Sequence, residues 1–162
     1  MKVRLATTDD AEAIRAIYNR EVLGTRVTFD LVPRTLEDQL AWLDEHSGAH
    51  PAIVAVDDEG VVRGFASVSP YRPRPAYRTT VEDSVYVDPA CRGQGVGRLL
   101  LEEICELAAS HGFHAVMARI VGDHEASIRL HAAAGFERVG VEREVGRKFG
   151  QWLDVVVMQR LL

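Results

Sequence analysis

A mixed α/β fold is predicted for this chain on three observations: short β-rich runs recur along its length, segments of helical periodicity separate some of them, and turn signals join others directly. The predicted order is β, α, α, β, β, β, α, β, α, β, β. With 162 residues and no internal repeat, low-complexity tract or linker, the chain is expected to form one domain around its own core.

Val3 to Ala6 forms the first apolar run, and Thr8, Asp9 and Asp10 then offer N-cap side chains to a helix whose apolar face is Ile14, Ile17 and Tyr18. Gly24 ends it. Thr35-Leu36-Glu37-Asp38 marks a second capped start, with Leu36, Leu40 and Leu43 on one side of a helix that stops near Gly48. Ala52 to Val56 and Val61 to Val68 are strands joined by Asp57-Asp58-Glu59-Gly60, a hairpin signal. Pro70, Pro73 and Pro75 restrict the next segment to an extended loop. Thr79 to Val87 reads as a strand closed by Asp88-Pro89. From Val96, the positions Leu99, Leu100, Ile104, Leu107 and Ala108 keep helical spacing as far as His111-Gly112. Ala115 to Val121 is a strand, Glu125 to Ala134 a helix ended by Gly135, and Phe136 to Val141 and Trp152 to Met158 are the last strands.

Composition narrows the function. Lys plus Arg total 19 against 24 Asp plus Glu, a formal charge of −5, which opposes a surface built to coat nucleic acid. Only Lys2 and Lys148 are lysines; the other basic residues are arginines, suited to forked contacts with carboxylates and phosphates. No run of about 18 apolar residues occurs, so no membrane span is expected, and the N-terminus turns polar too early for a signal peptide; the cytoplasm is the expected compartment. Cys91 and Cys105 form neither a CxxC pair nor a cluster with His, so reduced, structural thiols and no metal are expected.

Between a strand and a helix lies Arg92-Gly93-Gln94-Gly95-Val96-Gly97-Arg98. Three glycines free the backbone to curl and present N–H groups at a helix N-terminus, a place that binds phosphate. A tight strand-to-helix turn would need the same glycines, but two flanking guanidinium groups suit a pyrophosphate. The dinucleotide pattern G-x-G-x-x-G fails from Gly93, since position 98 is Arg98, and from Gly95, since position 100 is Leu100. No Gly-Lys pair exists for a Walker loop.

The loop resembles the Q/R-x-x-G-x-G/A signature of the GNAT acetyltransferases, whose loop amides hold the pyrophosphate of acetyl-coenzyme A. Three further blocks, Thr80 to Val87, Ser127 to His131 ahead of Gly135-Phe136, and Gly146 to Asp154, are similar to the phosphinothricin and methionine sulfoximine N-acetyltransferase branch. The resemblance spans nearly the whole chain. It implies the acyl-CoA N-acyltransferase (GNAT) fold, a mixed and mostly antiparallel sheet flanked by helices, with acetyl-coenzyme A as co-substrate, a small amino acid as acceptor and a homodimer as the assembly.

Acetyl transfer to an amine needs a base, a hold on the developing oxyanion and an exit for the thiol. Period two places Glu82, Ser84 and Tyr86 on one face of their strand and Asp83, Val85 and Val87 on the other. An isolated Glu there would ordinarily be a solvated residue; the resemblance makes Glu82 the general base. It also implies that the backbone of Val85, Tyr86 and Val87 pairs with the pantetheine arm, that Arg92 to Arg98 hold the pyrophosphate, and that Ser127 contacts the coenzyme. His124, where relatives commonly carry Asn, is placed beside it. His131 stands where many GNAT enzymes have a tyrosine near the leaving sulfur; a thiolate acid and a buried histidine satisfying a neighbour are both open. For the acceptor, position in the family suggests Arg72, Arg74, Tyr77, Phe29 and Lys148, with Lys148 able instead to shape the C-terminal hairpin. Two other readings remain: a peptide or protein N-acetyltransferase, and a non-catalytic acyl-coenzyme A sensor.

Overall fold

The computed structural model describes residues 1–162. Its elements are β1 (Lys2–Leu5), α1 (Ala11–Gly24), α2 (Leu36–Glu45), β2 (Ala52–Val56), β3 (Val62–Pro70), β4 (Thr80–Val87), α3 (Val96–Ser110), β5 (Ala115–Val121), α4 (Glu125–Ala133), β6 (Glu137–Lys148) and β7 (Gln151–Leu161). The order is the one the sequence predicts. Seven strands form one sheet, β1-β2-β3-β4-β5-β7-β6, antiparallel at every step except β4–β5. That single parallel step requires a crossover, which α3 supplies.

Alternation along the central strands builds two cores. Ala66, Val68 and Val81 turn to the face covered by α3, where Leu100, Leu101 and Ile104 pack with Val116, Ala118 and Val156. Phe65 turns the other way, against Ile14, Tyr18 and Val22 of α1 and Leu43 of α2. Arg4 grips Asp10 through two hydrogen bonds of 2.7 and 2.8 Å, and Asp10 also accepts from the Thr7 backbone N–H at 2.8 Å. This clasp turns the chain from β1 into a short 3₁₀ segment, Thr8–Asp10, ahead of α1.

Two expectations are corrected. Helix α2 starts as its capping box predicts, with Asp38 N–H donating to Thr35 Oγ1 at 3.1 Å and Thr35 N–H to Asp38 Oδ2 at 2.8 Å. Its inner face, however, is Gln39 and Leu43 rather than Leu36, Leu40 and Leu43; Leu36 and Leu40 are exposed. The reason is polar: Arg34 Nη1 donates to Gln39 Oε1 at 3.1 Å while its guanidinium lies over the Tyr18 and Trp42 rings at 3.8 and 4.9 Å, which draws Gln39 inward. Strand β6 runs on to Lys148, well past Val141. Register shifts at Arg138/Gly140 and Glu142/Gly146 break its alternation, and Glu144, at φ 51°, donates its N–H to Asp154 Oδ1 at 2.8 Å. A bulged edge strand carries no clean period of two. No helix is long and apolar enough to cross a membrane.

Candidate active site

Strands β4 and β5 pair only at Thr80↔Ala115, Val81↔Val116 and Glu82↔Met117, then part. Beyond Glu82 the β5-facing backbone groups of β4 have no strand partner, although this is the centre of the sheet. The opening is a cleft of about 720 Å³, with Asp83 to Val87 on one bank, Ala118 to Val121 on the other and the glycine loop at one end. An edge of free N–H and C=O groups accepts an extended ligand as it would another strand. Val85, Tyr86 and Val87 lie on this open edge.

At the loop, Gly93 and Gly95 adopt φ of 73° and 84°, and Gly95 is the N-cap of α3. The first amides of α3 have no intrahelical acceptor, and the helix dipole adds partial positive charge there. Gly93, Gly95, Gly97, Arg92 and Arg98 all line the cleft. Gln94 instead donates its Nε2–H to the Ala90 carbonyl at 3.0 Å, and Val96 is buried in the core beneath. Arg92 pairs with the buried Glu21 of α1, and Arg98 with Glu102 at 2.7 Å. Gly95→Ala forces a side chain into the left-handed region at about 1–2 kcal/mol; the expected result is a raised KM for acetyl-coenzyme A with a smaller change for the acceptor, read from initial rates.

On the α3 face, His131 is 4% exposed and both of its ring nitrogens are engaged. Nδ1 lies 2.8 Å from the Ser127 carbonyl, which can only accept, and Nε2 lies 3.0 Å from Asp83 Oδ2. Burial disfavours the charged ring, but the hydrogen bond and charge of Asp83, with the Ser127 carbonyl, outweigh it and raise the pKa above the ordinary histidine value. Asp83 Oδ1 is buried without a partner. Ser127 Oγ is 3.4 Å from His131 Nδ1, and both residues line the cleft, as does His124. His124, just ahead of α4, has its pKa lowered by burial and by Arg92.

Glu82 is on the opposite face, beside Ser69 of β3 and Met117 of β5. Burial pushes its carboxyl above the ordinary range against the pull of Arg119; Asp83 and Glu142 push it further up, and Arg72 opposes them. Glu82 and His131 therefore flank β4 from its two sides. Of the five acceptor candidates, only Arg72 reaches Glu82 electrostatically, from a loop where its guanidinium lies 4.9 Å from the Tyr71 ring centre and 5.7 Å from that of Tyr77. Arg74 is exposed, next to the 3₁₀ turn Pro75–Tyr77. Phe29 lies against Gly146 so closely that a Cβ there would come within 2.3 Å of the ring. Lys148 is 3% exposed, donates Nζ–H to the Thr28 carbonyl at 2.8 Å and has its pKa lowered by burial. It ties the segment after α1 to the β6–β7 turn, the hairpin-shaping alternative.

The sequence reading missed Asp83 and Arg119. Each left a signal: a carboxylate sharing a strand face with Val85 and Val87, and one charge inside the apolar run Ala115 to Val121. Asp83 is buried, and a buried charge demands a partner; Arg119 is exposed, where an apolar strand run would bury its residue.

Comparison with known proteins agrees with this geometry. The model of the acetyltransferase (GNAT) family matches residues 11–136. The chain is 42% identical over 165 residues to a phosphinothricin N-acetyltransferase of Streptomyces coelicolor, covering 100% of this chain and 96% of that protein. It is 41% identical over 158 residues to an L-methionine sulfoximine/L-methionine sulfone acetyltransferase of Pseudomonas paraeruginosa, covering 97% and 92%. Among solved structures, it superposes on a ribosomal-protein-alanine N-acetyltransferase from Brucella melitensis with a TM-score of 0.97 at 40% identity, covering 100% of both chains. A phosphinothricin acetyltransferase from Sinorhizobium meliloti in complex with AcCoA gives 0.94 at 40% identity, covering 99% of this chain and 88% of that one.

Proposed function

The chain belongs to the GNAT family of acetyltransferases, and from that premise we propose that it transfers the acetyl group of acetyl-coenzyme A to the α-amine of a small amino acid of the phosphinothricin or methionine sulfoximine/sulfone type, with Glu82 as the base. The observation that carries the reading is the parting of β4 and β5 immediately after Glu82, which leaves a half-buried carboxylate next in sequence to an open strand edge whose cleft lining begins at Asp83.

Acetyl-coenzyme A supplies an activated acyl group as a thioester. The β4 edge from Val85 to Val87 suits its pantetheine arm, and the α3 amides with Arg92 and Arg98 suit its pyrophosphate, once each arginine exchanges its internal carboxylate for phosphate oxygens. Ser127 and His124 stand beside that path. Glu82 takes a proton from the acceptor ammonium, directly or through a water, and frees the nitrogen lone pair for attack on the carbonyl carbon. A β4 N–H holds the oxyanion. His131 is the second candidate acid, for the departing sulfur; because both ring nitrogens are engaged, one of those hydrogen bonds must open for it to deliver a proton. Arg72 and Tyr77 face the acceptor, with Arg74 and Phe29 shaping its approach, while Lys148 holds the β6–β7 turn to the segment after α1.

The same reading includes one catalytic domain in the cytoplasm and a homodimer, for which the exposed Val139, Val145, Trp152 and Leu161 of β6 and β7 offer uncovered apolar surface. A second reading, acetylation of a protein N-terminus, is favoured by the name of the Brucella neighbour. Thiol release with acetyl-coenzyme A should be rapid with methionine sulfone or phosphinothricin and slow with an alanine-terminated peptide. Turnover of the peptide alone would replace the first reading by the second, and no turnover with any amine would leave the acyl-coenzyme A sensor.

A further inference from the structure

Arg119 is the one charged residue of β5, and it is exposed between buried neighbours. Its position follows from register. Met117 pairs with Glu82 in the parallel step, so Arg119, two residues on, projects from the same face at the point where β4 and β5 part. It lines the cleft. Its guanidinium makes a single internal contact, Nη2–H to Glu142 Oε2 at 2.9 Å, reaching across β7 to β6. The remaining N–H groups on Nε and Nη1 have no protein acceptor.

We propose that Arg119 is the subsite for the α-carboxylate of the acceptor amino acid, and that Glu142 occupies this guanidinium until the acceptor arrives. The inference rests on the amino-acid reading of the acceptor. An α-carboxylate lies two bonds from the amine carbon's nitrogen, so a residue that binds it must sit beside the base that takes the amine's proton; Arg119 is the nearest such cation by register. A guanidinium fork donates to both oxygens of a carboxylate, whereas its present contact uses one nitrogen, so exchange adds a hydrogen bond. Glu142 lies on the bulged edge strand β6, with a register shift directly after it, and its side chain is 34% exposed, which lets it swing to water. Exchange puts one carboxylate in place of another beside Arg119, so the balance at Glu82, drawn down by Arg119 and Arg72 and pushed up by burial and by Asp83 and Glu142, is kept when the acceptor is seated.

The test compares methionine sulfone with its carboxamide, which keeps the amine and loses the anion. Wild type should prefer the acid in kcat/KM. In Arg119→Gln that preference should collapse by about 10- to 100-fold, the range for charge-assisted hydrogen bonds, through KM for the acid, with a smaller change in KM for acetyl-coenzyme A. Arg119→Lys, which keeps the charge without the fork, should recover part of it. Glu142→Gln should give a KM for the acid equal to or below that of wild type; a higher value overturns the exchange. If wild type prefers the acid and Arg119→Gln keeps that preference, the subsite assignment fails while the amino-acid reading stands. If wild type acetylates neither compound nor phosphinothricin, the amino-acid reading fails and the subsite with it.

Discussion

Replacing Glu82 by Gln is expected to lower kcat by about 10²- to 10⁴-fold, the contribution of a positioned general base, while the affinity for acetyl-coenzyme A stays near that of wild type. Size and hydrogen-bonding shape are nearly conserved, so the loss reports the proton-accepting oxygen. The pH profile makes the assignment sharper. Glu82 must be ionised to act, and burial holds its carboxyl above the ordinary glutamate range despite Arg119. Wild-type kcat/KM should therefore fall as pH is lowered through that raised value, and the acidic limb should disappear in the Gln variant. A Gln variant with near-wild-type rates at every pH would take the base role away from Glu82.

The second large effect is on stability. Asp83 and His131 have side chains 1% and 5% exposed, and removing one member of a buried pair leaves the other unpaired in the interior. Asp83→Ala is expected to cost about 3–5 kcal/mol in denaturant unfolding, and replacing both residues by apolar side chains of similar volume to cost far less. The sign of the pH dependence follows from the raised folded pKa of His131. Its contribution is fully present below the unfolded histidine value and is lost as pH rises through the folded one. Wild-type stability at about pH 6 should thus exceed the extrapolation from about pH 9 by an increment missing in Asp83→Ala. Equal stability of wild type and variant at both pH values would show that the pair contributes nothing.

The elements were legible because their signals are local. The Thr35 and Asp38 box caps α2 at the position its spacing predicts, Ala115–Val121 is a strand with the predicted bounds, and the glycine loop opens α3. The failures were also physical. Leu36 and Leu40 carried helical spacing, yet Gln39 took the inner face because Arg34 bridges it to two aromatic rings, an interaction between segments that periodicity does not encode. Beyond Val141, β6 was hidden by its bulges.

By itself, the sequence determined the order of strands and helices, the conformation of the glycine loop and the face of β4 that carries Glu82, since each depends on residues a few positions apart: a left-handed glycine, a cap, an alternation of two. Only the tertiary structure decided that β4 and β5 part after Glu82, that His131 is committed to Asp83, that Lys148 ties a loop instead of standing free, and that Arg119 pairs with Glu142 on the Glu82 side of the sheet. Those facts depend on which distant segments are hydrogen-bonded and in what register. A shift of one residue in the pairing of a strand would turn its own side chains, Arg119 on β5 among them, to the other face of the sheet.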